Sequence, residues 1–217
     1  AGKAKGQGFA NETHDLANMT LALALGKRGL GQCWPNPAVG AVLAAPDTGR
    51  IISYGWTSPG GRPHAEAIAI AKAGEATRGA TLYVTLEPCS HWGKTPPCAD
   101  TAIAAGVQRL VYGTVDPDPR VQGAGLAKFT ANNIEVVETV LSREARWLNI
   151  GHTLRITKKR PFVQLKMAVD AHGMVPAGDG APVWVSCEEA RAYGHLLRAE
   201  ADAILVGHGT LTADNPD

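Results

Sequence analysis

Residues 87–98 read Glu87-Pro88-Cys89-Ser90-His91-Trp92-Gly93-Lys94-Thr95-Pro96-Pro97-Cys98, and His64-Ala65-Glu66 stands twenty-five residues before the first of the two cysteines. One imidazole and two thiolates form the soft-to-borderline donor set that suits zinc, and three protein ligands leave a fourth position open. His64 opens a predicted helix behind the Gly60-Gly61-Arg62-Pro63 turn, and Cys89 is also placed at a predicted helix start. Exposed N–H groups and the helix dipole favour a thiolate there. Zinc held by two thiolates and a neutral imidazole is nearly charge-neutral, so it acidifies water less than an all-histidine site and calls for an assisting carboxylate. Glu66, two residues after the ligand histidine, is the candidate proton carrier.

Two plainer readings use the same residues. His91 as a fourth ligand would close the set into a structural site, which has no use for a glutamate beside its histidine. Cys89 and Cys98 as metal-free buried thiols fit poorly with a polar, proline-flanked loop. Zinc enzymes that deaminate nucleobases combine His and Cys ligands with a non-ligand Glu. Their usual two-residue gap between cysteines is eight residues here.

Outward from this loop the chain alternates. Residues 11–30 carry Leu16, Met19, Leu23 and Leu30 at helical spacing, with Gly29 and Gly31 as the stop. Residues 39–45 and 51–56 are short apolar runs split by Pro46-Asp47-Thr48-Gly49, a hairpin. An Ala-rich helix is expected over 64–76, strands over 81–85, 109–115 and 134–140, and helices after the cysteine loop, over 123–132 and over 141–149. This order predicts a layered α/β structure whose sheet is largely parallel after the hairpin, with functional residues where strands end and helices begin. Residues 154–160 read as a basic linker, followed by a strand over 161–169, a helix over 186–198 and a strand over 203–206. The domain division expected is 1–150 and 151–217. The second part is barely large enough for a core.

Composition narrows the partners. Apolar residues are 45% and charged residues 19% of the 217, a globular mixture. Twenty-one basic against twenty acidic residues leave +1, too balanced for a nucleic-acid footprint built on bulk charge. No apolar run approaches the roughly 18 residues of a membrane span. Residues 1–9, Gly- and Lys-rich without an apolar centre, read as an unstructured arm rather than a signal peptide. The four cysteines, Cys33, Cys89, Cys98 and Cys187, are too few for a disulfide scaffold, so a reducing compartment, the cytoplasm, is expected. Cys33 and Cys187 receive no role.

Together these residues resemble the bacterial bifunctional riboflavin-biosynthesis family, in which a diaminohydroxyphosphoribosylaminopyrimidine deaminase is fused to a 5-amino-6-(5-phosphoribosylamino)uracil reductase. The run 87–98 carries the resemblance most specifically. His64-Ala65-Glu66, PNPAVG at 35–40 and DPDPRVQGAG at 116–125 fit the same pattern, which covers nearly the whole chain after the first ten residues. The resemblance implies a cytidine-deaminase-like three-layer α/β domain followed by the start of a dihydrofolate-reductase-like α/β domain. It implies zinc (Zn2+) on His64, Cys89 and Cys98, with Glu66 as the catalytic proton carrier. The reaction implied converts 2,5-diamino-6-(5-phosphoribosylamino)pyrimidin-4(3H)-one to 5-amino-6-(5-phosphoribosylamino)uracil with release of ammonia, and the complete protein then reduces the ribosyl to a ribityl chain with NADPH. Asn36, His91, Lys94 and Thr95 match as substrate contacts, Lys94 as a point charge for the ribose phosphate.

In the second half the matching stretches are 164–168, 184–186, 190–191, 195–199 and 203–207, running on to Thr210 and 213–216. By the same resemblance Ala168, Trp184, Thr210 and Asp214 would touch the dinucleotide and Arg198 the substrate. Thr57 and Asp118 depart from the family's usual His and Asn, Asp170 and His172 from its Ser and Asp, and Pro182 from a substrate-contacting Ser. The family's Gly-rich nicotinamide segment is missing, so the reductase half reads as truncated. A small-molecule phosphoribosylaminopyrimidine is the partner implied, with no nucleic acid, no membrane and a homo-oligomeric state. The competing readings are a deaminase of a free base or a tRNA base, and a non-catalytic zinc-stabilised module. The cysteine gap and the lack of a basic, aromatic-interleaved surface speak against the tRNA enzyme.

Overall fold

The computed structural model describes residues 4–93, 95–119, 121–139, 141–175 and 185–214. They fall into two compact units, Ala1–Phe162 and Val163–Asp217.

The first unit is a five-stranded sheet between two helical layers. Strands β1 (Gly40–Ala44) and β2 (Ile51–Trp56) form the expected antiparallel hairpin, and β1 also pairs antiparallel with β3 (Thr81–Val84). Parallel pairing then adds β4 (Arg109–Tyr112) and β5 (Glu135–Glu138), giving the order β2-β1-β3-β4-β5. Side chains of a strand alternate between the two faces of the sheet. Val42 and Ala44 of β1, with Tyr83 and Val111, therefore meet Met19, Ala22 and Leu23 of α1 (Ala4–Lys27) and Ala145 and Leu148 of α5 (Ser142–Leu148). Ala41 and Leu43, with Leu82, Val84 and Leu110, meet Ala65 and Ala69 of α2 (Ala65–Ala73), Ala99 and Ala102 of α3 (Cys98–Ala104) and Phe129 of α4 (Ala124–Ala131). The alanines on these helices bring their backbones close to the sheet, which keeps the layers thin.

At the edge of the sheet where β3 and β4 begin, Arg109 grips Asp15 of α1 with both terminal nitrogens, at 2.6 and 2.8 Å, while the Tyr83 hydroxyl donates to the same carboxylate at 2.9 Å. The opposite edge is left to the loops that follow β3 and β4, and these carry the candidate site.

Three expectations need correction. Helix α1 begins at Ala4, so most of the stretch expected as an unstructured arm is helical. The basic stretch expected as a linker is helix α6 (Ile150–Lys158), stopped by Lys159 in the left-handed region at φ 54°. Residues 161–169 and 203–206 form no strand among the described residues. Val163, Leu165 and Met167 do alternate as a strand face would, but among the described residues no strand pairs with them and they stand 75%, 80% and 59% exposed. Alternation nominates a strand; only a hydrogen-bonded neighbour makes one. The second unit otherwise holds α7 (Glu188–Ala199), where a helix was expected, and α8 (His208–Asp214).

The packing of α1 on the sheet depends on Gly40, where a Cβ would overlap the Ala22 carbonyl oxygen and crowd the Gly26 nitrogen. Gly40→Ala is expected to lower the urea unfolding midpoint at unchanged m-value, a loss of about 1–3 kcal/mol. An unchanged midpoint would contradict this close approach.

Candidate metal centre

His64 is the cap residue that precedes α2, in extended conformation at φ −72° and ψ 157°. The turn before it uses Gly60 and Gly61 at φ 73° and 84°, a region that glycine adopts without strain. Cys98 is the first residue of α3, directly after the Pro97 cap. Cys89 lies in the loop rather than at a helix start, because Pro96 and Pro97 hold off the helix until residue 98. The helix-start argument thus belongs to Cys98, whose backbone N–H points at the Cys89 sulfur from 3.3 Å.

The ligand atoms of His64, Cys89 and Cys98 lie within 4.8 Å of one another. His64 Nδ1 stands 3.3 Å from Cys98 Sγ and 3.7 Å from Cys89 Sγ. A tetrahedral zinc with Zn–N of about 2.0 Å and Zn–S of about 2.3 Å requires N···S separations of about 3.6 Å, so the donors fit this ion. The group has three members among the described residues, and His91 is not one of them. The closed structural site therefore lacks its fourth ligand there.

Without metal the three groups share protons. The Cys89 thiol is pushed down to about 4, chiefly by the hydrogen bond donated from Cys98 and also by His64. Cys98 moves upward because it is that donor and is buried. The hydrogen bond to Cys89 also raises His64, against burial. Metal binding requires both sulfurs as thiolates and so releases protons. Glu66 is buried at 4% exposure, the second residue of α2, with its carboxyl beside the Cys98 thiol. Burial pushes it up to about 7.

Around this centre the proposed substrate contacts fall in different surroundings. Asn36 is half-buried and donates Nδ2–H to the Gly61 carbonyl at 2.8 Å, which ties its loop to the turn before His64. His91 is half-buried, and its Nδ1 is buried with no hydrogen-bond partner among the described residues. Thr95 is exposed and accepts a hydrogen bond from Arg62. Lys94 and Trp184 lie outside the described residues, as does Pro182. Buried Thr57 spends its hydroxyl on the neighbouring backbone, donating to the Pro37 carbonyl at 3.1 Å and accepting from Val39 N–H at 3.0 Å. Asp118 is buried too, and its backbone N–H donates to Asp116.

In the second unit, Ala168 is partly buried in a segment that is neither helix nor strand, Arg198 is exposed near the end of α7 beside His195, Thr210 is exposed on α8, and Asp214 closes that helix. No hydrogen bond or ion pair among the described residues joins any two of the four.

Sequence reasoning missed the residues that brace the loops. Glu87, 3% exposed, accepts backbone N–H bonds from Gly123 and Gly125 at 2.9 Å and from Asp116 at 3.3 Å, so one carboxylate fastens the 116–125 loop to the cysteine loop. Gly125 permits this contact, since a Cβ there would overlap the Pro88 carbonyl. Lys128 reaches the Ser90 carbonyl at 3.2 Å while paired with Asp100. Asn149 brackets Ala38, accepting from its N–H and donating to its carbonyl, both at 2.9 Å. A charged residue directly before Pro88-Cys89 was the available signal for Glu87, but its partners are 29 to 38 residues away. Glu87→Gln would turn an NH2 group toward backbone donors in a buried setting. The expected loss is about 1–3 kcal/mol in chemical denaturation, and a change below about 0.5 kcal/mol would contradict the bracing role.

Comparison with known proteins agrees with this geometry. Residues 12–114 match the cytidine and deoxycytidylate deaminase zinc-binding region, and residues 161–217 match the RibD C-terminal domain. The chain is 44% identical over 198 residues to the riboflavin biosynthesis protein RibD of Aquifex aeolicus, covering 91% of this chain and 55% of that protein. It is 42% identical over 198 residues to the Escherichia coli protein, covering 91% and 53%. Among solved structures, a diaminohydroxyphosphoribosylaminopyrimidine deaminase/5-amino-6-(5-phosphoribosylamino)uracil reductase from Thermotoga maritima superposes with a TM-score of 0.86 at 44% identity, over 95% of this chain and 59% of the other. RibD from Acinetobacter baumannii gives 0.82 at 36% identity, over 94% and 57%. The Aspergillus oryzae Rib2 deaminase, 21% identical with a TM-score of 0.54, shares the fold. The chain spans a little over half the length of the relatives it matches. With a zinc-fitting donor set in a deaminase fold, followed by the start of the RibD C-terminal domain, the chain belongs to the RibD family of riboflavin-biosynthesis deaminase/reductases.

Proposed function

We propose that the first unit hydrolytically deaminates a phosphoribosylated diaminopyrimidinone, removing the 2-amino group as ammonia and leaving 5-amino-6-(5-phosphoribosylamino)uracil. The observation that carries this reading is the convergence of His64, Cys89 and Cys98 on one point with the buried Glu66 carboxyl against them. Zinc, when bound by these three residues, supplies a Lewis acid that lowers the pKa of water. Glu66 takes the water proton on a carboxylate oxygen and delivers it to the departing amine, so that one group serves first as base and then as acid. Its burial keeps bulk water from competing for that proton. Asn36, His91, Lys94 and Thr95 are the proposed contacts to the substrate's polar periphery.

Residues 151–217 are proposed as the start of the NADPH-dependent reductase domain, with α6 as the connection from the 1–150 deaminase domain. Ala168, Trp184, Thr210 and Asp214 would face the dinucleotide, and Arg198 the substrate. A cytoplasmic homo-oligomer acting on a small molecule, with no nucleic-acid partner, is the setting proposed. The near-zero net charge speaks against a nucleic-acid partner, and four cysteines are too few for a disulfide scaffold. No helix among the described residues is long and apolar enough to cross a membrane. A tRNA or free-base deaminase and a non-catalytic zinc module are not favoured, because the relatives matched over nine-tenths of the chain are riboflavin-biosynthesis proteins.

Glu66→Gln keeps the size of the side chain and removes its proton chemistry. The variant is expected to retain one equivalent of zinc while ammonia release from the diaminopyrimidinone ribotide falls by about 10²–10⁴-fold. A near-normal rate with zinc retained would overturn the assignment.

A further inference from the structure

Arg62 belongs to the turn between Gly61 and the metal-ligand His64, and its guanidinium crosses to the loop between the two ligand cysteines. Nη1 donates to the Thr95 hydroxyl at 2.7 Å, and Nη2 lies against Gly93, at 2.9 Å from where a Cβ would stand. The side chain is thus held between the two segments that supply the ligands, half-buried, and its charge is close enough to bear on the His64 imidazole.

What holds it is a neutral hydroxyl. Several cations that brace this fold spend their charge on carboxylates, Arg109 on Asp15 and Glu135, Lys128 on Asp100 and Arg146 on Glu138, whereas Arg155, like Arg62, donates to a neutral oxygen. Among the described residues, no carboxylate lies within ion-pair distance of Arg62. One N–H of its five is committed to Thr95, which leaves the rest of a planar fork for an anion. A positioned but unneutralised guanidinium beside a catalytic centre is the arrangement that receives a phosphate monoester.

Resting on the deaminase function proposed above, we infer that Arg62, held by Thr95 and seated on Gly93, binds the 5-phosphate of the substrate and sets the preference for a phosphorylated over an unphosphorylated ribosyl pyrimidine. The sequence offered Lys94 as the point charge for this phosphate and Thr95 as a substrate contact. Thr95 now orients the guanidinium, and Gly93 leaves the space it occupies.

The test uses the zinc-loaded 217-residue chain and compares the ribotide with its dephosphorylated riboside. For Arg62→Ala the KM for the ribotide is expected to rise about 10–100-fold, the range of a lost charged hydrogen-bonded contact. Its kcat should change less than about threefold, and the KM for the riboside should stay at the wild-type value. The Ki of inorganic phosphate as competitor should rise in parallel, and Arg62→Lys should restore part of both. Thr95→Val, which keeps the charge and removes the tether, should raise the KM for the ribotide by less than Arg62→Ala does. Equal losses on ribotide and riboside, or an unchanged KM for the ribotide, would overturn the inference. If the wild-type chain deaminates neither compound, the proposed function fails, and inorganic phosphate titrated against the zinc-loaded chain by 31P NMR still decides on Arg62. Binding at least tenfold weaker in Arg62→Ala supports the anion site, and equal binding overturns it.

Discussion

Three soft donor atoms have to meet at one point although they come from residues 25 and 34 apart along the chain. Much of the architecture of the first unit serves that requirement. The parallel strands β3 and β4 run side by side and deliver their following loops to the same edge of the sheet, and α2 and α3 start at that edge with His64 and Cys98 at or beside their first turns. A helix start offers free N–H groups, and one of them, on Cys98, already aims at the Cys89 sulfur. Thiolate formation is thereby favoured before a metal arrives.

Such an arrangement is costly in backbone polar groups, because irregular loops packed against a core must satisfy their donors without a ladder. Glu87 meets much of that need, gathering three N–H groups of the 116–125 loop onto one buried carboxylate immediately before Pro88-Cys89. Asn149 performs the same service for Ala38 near the Asn36 loop, and Lys128 for the Ser90 carbonyl. The cysteine loop is therefore held by charged and amide side chains, and the chemistry is proposed for Glu66 and Arg62 instead. The contrast between Glu87 and Glu66 is one of partners. The first is saturated by backbone donors, and the second touches the ligand sulfur that a metal would claim.

Much of this was legible in the sequence, and the legible parts share a physical reason. The hairpin, the three later strands and helices α1 to α5 were announced by short-range patterns: alternation split by Pro46-Asp47-Thr48-Gly49, alanine-rich helical spacing, and glycines at the stops. The donor set was legible because few roles other than metal binding place His and two Cys in that chemistry. What was not legible depended on long-range pairing. Residues 161–169 have strand alternation without a strand beside them among the described residues. Residues 154–160 look like a charged linker by composition, yet most of them are helical in α6, whose Arg155 bonds the Pro35 carbonyl 120 residues away. Glu87 and Arg62 are unremarkable letters until the fold brings their partners to them. Cys89 and Cys98 exchanged the helix-start position because two consecutive prolines set where α3 begins.

The central claim is a zinc site of three protein ligands with one position left for a small ligand. X-ray absorption at the zinc edge of the loaded chain tests it directly. The account predicts two sulfur scatterers at about 2.3 Å and two light-atom scatterers at about 2.0 Å, of which only one carries the multiple-scattering signature of imidazole. A second imidazole signature, or fewer than two sulfurs, would contradict it.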